Sequence, residues 1–283
     1  HASRFRRFGK KLYAVAAIVV IAVIATALLT PRGAAIIPLT VNYTVGEKMI
    51  YNSTETVTIQ AYNTTIAADQ MGPTPNTIIC NSTETVEVVD FDGEYYTLNH
   101  TMTLILEQWD PISMSLVEKV NKTGFSSYFF SVGTQQLVFN ASSDPFSSYS
   151  FISALLARPE VKVGDTWQVP MSTGNSSFGI TGNLTVTFGG IQDITVPAGT
   201  YEVFKIDFSS NNLSMNLNVP PNATGTNIFT TMNMSISGQK YLEYKTCREI
   251  ESNIEMTHSY QIGELNVYCN CSSQTKLVQH LQG

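Results

Sequence analysis

The chain has 283 residues, 43% of them hydrophobic, with 16 Lys and Arg against 22 Asp and Glu for a net charge of −6. Six of the bases and none of the acids lie in residues 1–33, so the remainder carries a net charge of −12. An acidic surface without a basic patch argues against nucleic acid and against direct adhesion to anionic headgroups, and about 250 residues are ample for one large β domain or two small ones.

The N-terminal segment His1 to Lys11 carries Arg4, Arg6, Arg7, Lys10 and Lys11 and no acid, and Leu12 to Leu29 is an uncharged run of 18 residues. As a helix that run is about 27 Å long, just enough to cross a bilayer core. The basic flank places residues 1–11 in the cytoplasm, 12–29 across the membrane as a single-pass anchor, and everything beyond outside. Ala25-Thr26-Ala27 has the form of a signal-peptide cleavage site, so a cleaved leader is the competing reading; the run is long for a signal-peptide core, which favours the anchor. Residues 30–45 read as a linker and a first strand. Ala34-Ala35-Ile36-Ile37-Pro38-Leu39 is apolar, and Val41, Tyr43 and Val45 then alternate with Asn42 and Thr44. Such a segment can add a strand to a sheet edge, its own or that of another envelope or membrane-complex subunit, which makes 34–44 the candidate partner contact.

Thirteen Asn-x-Ser/Thr sequons follow, at Asn42, Asn52, Asn63, Asn81, Asn99, Asn121, Asn140, Asn175, Asn183, Asn212, Asn222, Asn233 and Asn270. Random placement in this composition gives roughly four, and the tripeptide accepts glycan only outside the cytoplasm, so the enrichment predicts an outward-facing glycoprotein.

Past the anchor the pattern is β almost throughout. Tyr96, Leu98, His100, Met102, Leu104 and Leu106 alternate with Asn99, Thr101 and Thr103; Leu184, Val186 and Phe188 alternate with Asn183, Thr185 and Thr187; and Met232, Met234 and Ile236 alternate with Asn233 and Ser235. The sequon asparagine falls on the polar face each time, which predicts antiparallel sheets with one solvated, sugar-bearing face and one buried face, and excludes a parallel sheet covered by helices on both sides. His100 falls on the apolar face and is expected to be a core histidine with a hydrogen-bond partner rather than a catalytic group. One helix is expected: Asp144 caps it, Pro145 opens it, and Phe146, Tyr149, Ile152, Leu155 and Leu156 form an apolar stripe that ends before Arg158-Pro159. Such a stripe packs on the concave side of a curved sheet or serves as a lid over a ligand cavity.

Within the 46–283 β domain, Val45-Gly46-Glu47 is echoed by Val163-Gly164-Asp165, and Asp92-Gly93-Glu94 by Ala198-Gly199-Thr200, so two related halves, 46–120 and 144–283, are drawn as an option beside common turn chemistry. The four cysteines, Cys80, Cys247, Cys269 and Cys271, are an even number in an extracytoplasmic chain. Two disulfides are expected, Cys80 with one of Cys269/Cys271 and Cys247 with the other, because two cysteines one residue apart in an extended strand do not meet disulfide geometry. The spacing matches no zinc pattern, so no metal is expected.

The run Asp144-Pro145-Phe146, Val163-Gly164-Asp165-Thr166-Trp167 and Thr195-Val196-Pro197-Ala198-Gly199-Thr200-Tyr201-Glu202 resembles the half-barrel envelope proteins related to lipoprotein carriers, the LolA-like proteins. The resemblance covers about residues 140 to 270. It implies a strongly curved antiparallel sheet holding a helix in its concave face, with Phe146, Tyr149, Ile152, Leu156 and Trp167 as the lining of any apolar-ligand cavity there. The sequon load and Asn/Thr-rich composition look similar to archaeal cell-surface proteins. No nucleophile elbow, zinc-protease, phosphate-loop or dinucleotide motif is found, and Asp90-Phe91-Asp92-Gly93-Glu94 is a hairpin turn rather than a calcium loop. The expectation is a mainly β, non-catalytic surface protein without cofactor, acting as a structural or interaction subunit. The alternatives are an apolar-ligand carrier and an unrecognised extracytoplasmic enzyme.

Overall fold

A computed structural model describes residues 41–63, 76–106, 110–122, 126–132, 135–139, 163–174, 178–219, 228–262 and 265–283. The basic segment, the anchor over 12–29, the linker to residue 40 and the expected helix from Asp144 to Leu156 lie outside them. Among the described residues there is no helix. The chain forms β1 (Lys48–Asn63), β2 (Asn76–Phe91), β3 (Tyr95–Leu106), β4 (Ile112–Asn121), β5 (Ser126–Val132) and β6 (Gln135–Phe139). It continues through β7 (Thr166–Gly174), β8 (Phe178–Val196), β9 (Gly199–Val219), β10 (Ile228–Glu243), β11 (Glu249–Ile262) and β12 (Leu265–Leu281).

All twelve strands join one antiparallel sheet in the order β6-β5-β4-β3-β2-β1-β12-β11-β10-β9-β8-β7. Each meander runs outward from the central β1–β12 pair, and the sheet is not closed, since β6 and β7 are its edges. Along the strands the alternation read from sequence is obeyed: Leu98, His100 and Leu104 are buried while Asn99, Thr101 and Ile105 are exposed, and Leu184, Val186 and Phe188 are buried beside exposed Asn183. The β-branched and aromatic residues that dominate these strands pack well on a pleated, half-buried surface.

The sheet is strongly curled. Val41 N–H donates to the Lys122 carbonyl past the end of β4 at 3.0 Å, and the next residue, Asn42, donates to Thr246 in the β10–β11 turn at 3.4 Å. In a flat sheet β4 and β11 would be about 24 Å apart, five strand spacings. Ala198, in the β8–β9 turn, likewise donates to Leu277 of β12 at 3.4 Å. Residues 41–45 therefore form a strap across one end of the concave face. Val41 and Tyr43 of the strap are buried, with the Tyr43 ring edge-on to Tyr96 at 5.5 Å. Of the expected linker and first strand over 30–45, the described residues 41–45 form no strand, and β1 is paired on both sides, by β2 and β12.

The two echoed turns adopt one geometry. Gly46 and Gly164 both have φ of +89°. Gly46 N–H donates to Val88 at 2.8 Å and Val88 returns a bond to Glu47 at 2.9 Å; Gly164 N–H donates to Phe188 at 2.8 Å and Phe188 returns one to Asp165 at 3.0 Å. A register shift follows each partner, between Val88 and Asp90 in β2 and between Phe188 and Gly190 in β8. A side chain at φ +89° is strained whatever the space around it. Gly164→Ala, where an added Cβ meets nothing within 4 Å, is expected to cost about 1–2 kcal/mol from backbone strain alone. Gly46→Ala, whose Cβ would stand 3.2 Å from Gly283, should cost at least as much. Denaturant melts that show either variant as stable as the parent would contradict this account of the turns.

Candidate functional site

The concave face carries charged side chains at positions whose parity points them inward. His100 on β3 lies between two carboxylates, with Nδ1 at 2.9 Å from Glu84 Oε1 on β2 and Nε2 at 3.1 Å from Glu118 Oε2 on β4. All three are buried, Glu118 completely. A ring nitrogen facing a carboxylate on each side requires a proton in both bonds, so the trio is an imidazolium with two carboxylates or a neutral imidazole with one carboxylic acid. Either arrangement holds a net charge of −1. Burial, then Glu118, raises the Tyr43 hydroxyl well above its ordinary range, so it stays a phenol beside them.

A second group closes the same end. Arg248, after the β10–β11 turn, bonds Glu47 through Nη2 and lies 3.2 Å from Glu243 through Nη1. His280 near the end of β12 reaches Glu47 Oε1 at 2.9 Å, and Thr44 N–H donates to Glu47 Oε2 at 2.9 Å. Nearby, the fully buried Lys240 of β10 bonds Glu249 of β11, which also accepts from Ser252 at 3.0 Å, while Tyr51 of β1 donates its hydroxyl to the Glu249 carbonyl at 3.0 Å. Each ion is matched within the fold. Removing one partner of such a buried pair typically costs about 3–5 kcal/mol because the other charge is stranded.

The expected core role of His100 is thus met by two hydrogen-bond partners. Its carboxylate neighbours were not singled out from sequence, although Glu84 before Val86 and Val88, and Glu118 before Val120, are acids at apolar parity and could have been flagged by that signal. The same holds for Lys240 before Leu242.

None of the four cysteines is bridged in the structure, where a pair of disulfides was expected. Cys80 on β2 is separated from β12 by the whole of β1, about 10 Å at the sheet spacing, whereas bridged cysteines have Cα atoms within about 7 Å. Cys247 sits in the β10–β11 turn at φ +64°, while Cys271 pairs with Met256 and Cys269 with His258, about 30 Å or more along β11. Burial pushes Cys80 and Cys269 up to about 11 and Cys271 up to about 12. At neutral pH these are protonated thiols, which are poor nucleophiles and poor metal ligands. Among the described residues no group of three or more His, Cys, Asp or Glu is placed to hold a metal ion.

The opposite face carries the sequons. Asn52, Asn81, Asn99, Asn183, Asn212, Asn233 and Asn270 are exposed on strands, Asn42 is exposed on the strap, and Asn121 is half-buried at the end of β4. Asn63 ends β1, and Asn140, Asn175 and Asn222 lie outside the described residues. On β1 and β2 two sequons are interlocked: Thr83 donates to Asn52 Oδ1 at 3.1 Å and Thr54 to Asn81 Oδ1 at 3.0 Å, which leaves both amide nitrogens, the glycan-accepting atoms, outside that pair of bonds. Of the expected cavity lining, Trp167 is buried on β7, and Phe146, Tyr149, Ile152 and Leu156 lie outside the described residues.

No protein-family model and no curated protein matches the chain. Among solved structures it is similar to a Bacteroides fragilis protein described as exported and of YmcC-like fold, at 9% identity and a TM-score of 0.32 over 87% of this chain and 100% of that one. It is also similar to a Parabacteroides distasonis protein described as a lipoprotein, at 12% identity and 0.33 over 86% and 99%. A third is Ail, the attachment invasion locus protein of Yersinia pestis, at 6% identity and 0.20 over 82% and 98%. At these TM-scores the likenesses carry no argument about what this chain does.

Half-buried Glu55 and buried His258 give the fold opposing responses to pH. Glu55, opposite Cys80 on one side and Ser273 on the other, is raised by burial from 4.5 to about 7, against a bond from Ser273 that lowers it. Its folded-state value exceeds its unfolded one, so its contribution is complete below about 4.5 and is lost as pH rises through about 7. His258 is lowered by burial from 6.5 to about 4, so its contribution is present above 6.5 and is lost as pH falls toward 4. Glu55→Gln is expected to stabilise the protein by about 1–3 kcal/mol at pH 8 and to change nothing at pH 4. Guanidinium melts at both pH values check this, and equal effects at the two would contradict it.

Proposed function

We propose that the chain is a non-catalytic, membrane-anchored, N-glycosylated cell-surface protein that serves as a structural or interaction subunit of an envelope or membrane assembly. The observation that carries the reading is the division of the sheet's two faces. Seven strand asparagines in sequons stand exposed on one face, and the other face is packed with buried apolar side chains and matched ions. Sugar on the convex face keeps protein partners away from it. That leaves the ends and edges of the sheet for neighbours, and among the described residues β6 and β7 are each paired on one side only.

The packing supports a scaffold over an apolar-ligand carrier. Met215, Met232, Met234 and Met256 cover the concave face of β9 to β11 and are each 2% exposed. A lipid there would have to displace them. The protonated thiols and internally paired carboxylates also favour a non-enzymatic role.

Glycopeptide mapping and intact mass of the protein from its own membranes test the proposal. The expected result is a mass several glycans above 31.1 kDa, with sugar on most sequons and the protein retained in the membrane pellet after an alkaline wash. A mass near 31.1 kDa, or release of the intact chain into the wash, would overturn it.

A further inference from the structure

A cavity of about 400 Å³ opens on the sequon-bearing face across β8 to β11. One row of its lining runs Thr185, Ser209, Ser237 and Glu255 in register, and the next includes Asp207 and Gln239. The depression arises because small Ser and Thr side chains and Gly238, which has none, lie between longer neighbours, in a stretch bracketed by register shifts in β8 at Thr181/Thr185 and Phe188/Gly190. Its chemistry is hydroxyls, the two carboxamides of Gln239 and Asn253, and the two carboxylates of Asp207 and Glu255. Lys205 neutralises one carboxylate, Asp207, at 2.9 Å. With no cation left over for an anionic ligand and no cluster that could hold a metal ion among the described residues, the lining suits a neutral ligand rich in hydroxyl groups.

The wall of the cavity is part of a sequon. Thr185 is the threonine of Asn183-Leu184-Thr185 and accepts a hydrogen bond from Gln168 at 2.7 Å, while Asn183 is exposed on the same face two residues away, about 7 Å along the strand. We propose that this cavity is a saccharide-binding site whose occupant is the first sugars of the glycan carried by Asn183. Tethering makes this source the favoured one, because a covalently attached ligand meets its site at an effective concentration on the order of millimolar, enough to fill a site too weak to capture free sugar. The proposal rests on the glycosylated reading above.

Hydrogen–deuterium exchange on the full-length glycoprotein tests it, with glycopeptide mapping of Asn183 alongside. In Asn183→Gln, amides of 203–210 and 235–241 should exchange several-fold faster than in the parent, and Asn99→Gln, which removes a glycan from the other half of the sheet, should leave them unchanged. Ser237→Tyr keeps the sequon and fills the cavity, so the Asn183 glycan should become more accessible to glycosidase while it remains attached. Sugar present on Asn183 with no change in exchange or glycosidase access in either cavity test overturns the site and leaves the glycosylated reading standing. Absence of sugar at Asn183 alone overturns the site, and absence of sugar at every sequon overturns both.

Discussion

The pairing of β1 with β12 joins two six-stranded meanders into one sheet. It runs from Lys48 opposite Leu281 to Asn63 opposite Leu265, and it is the only ladder connecting β1–β6 with β7–β12 among the described residues. Strands at the two ends of a chain meet at a high loop-closure cost, so the contacts that form only after they pair must offset it. Several lie at the foot of this ladder: Glu47 with Arg248 and His280, Tyr51 with the Glu249 carbonyl, and the strap of residues 41–45, which rests on both meanders. Loss of the β1–β12 ladder would strand these ions at once.

Curling the sheet makes its concave face narrow and its convex face broad, and the two are filled in opposite ways. On the concave side, thioether and aliphatic side chains pack together, and ions enter only where a partner on a neighbouring strand meets them, as Lys240 meets Glu249. On the convex side, Thr, Ser, Asn and Gln bond to one another across strands, as in Thr166 with Thr187 and Gln274 with Asn253. A surface of short polar side chains would accommodate a glycan, which would leave the face without displacing core packing. The Glu84–His100–Glu118 trio is buried on the concave face too, its three members bonded across neighbouring strands beside Tyr43.

Much of this was legible locally. The two-residue alternation around Asn99, Asn183 and Asn233 assigned face and burial correctly, because strand parity is a local property. The recurrence of Val45-Gly46-Glu47 at Val163-Gly164-Asp165 has a structural counterpart in two turns of equal φ and equal bonding. Non-local facts were not legible. No short-range signal shows that β1 is flanked on both sides, and the segment before it was therefore read as a strand. The cysteine pairing failed for the same reason, since it depends on which strand separates Cys80 from Cys269 and on where along β11 the turn carrying Cys247 falls. His100 was read correctly as a core residue, while its two partners come from strands that only the register brings beside it.

The central claim is a packed concave face in a sheet whose register keeps its four thiols apart, and thiol labelling without reductant tests it most directly. In denaturant the non-reduced chain should take up four maleimides per molecule, and in the folded protein Cys80, Cys247 and Cys269 should resist labelling. Fewer than four adducts in the unfolded, non-reduced chain would reveal a bridge that this strand order cannot hold, and rapid labelling of Cys80 or Cys269 in the folded protein would show the concave face to be open.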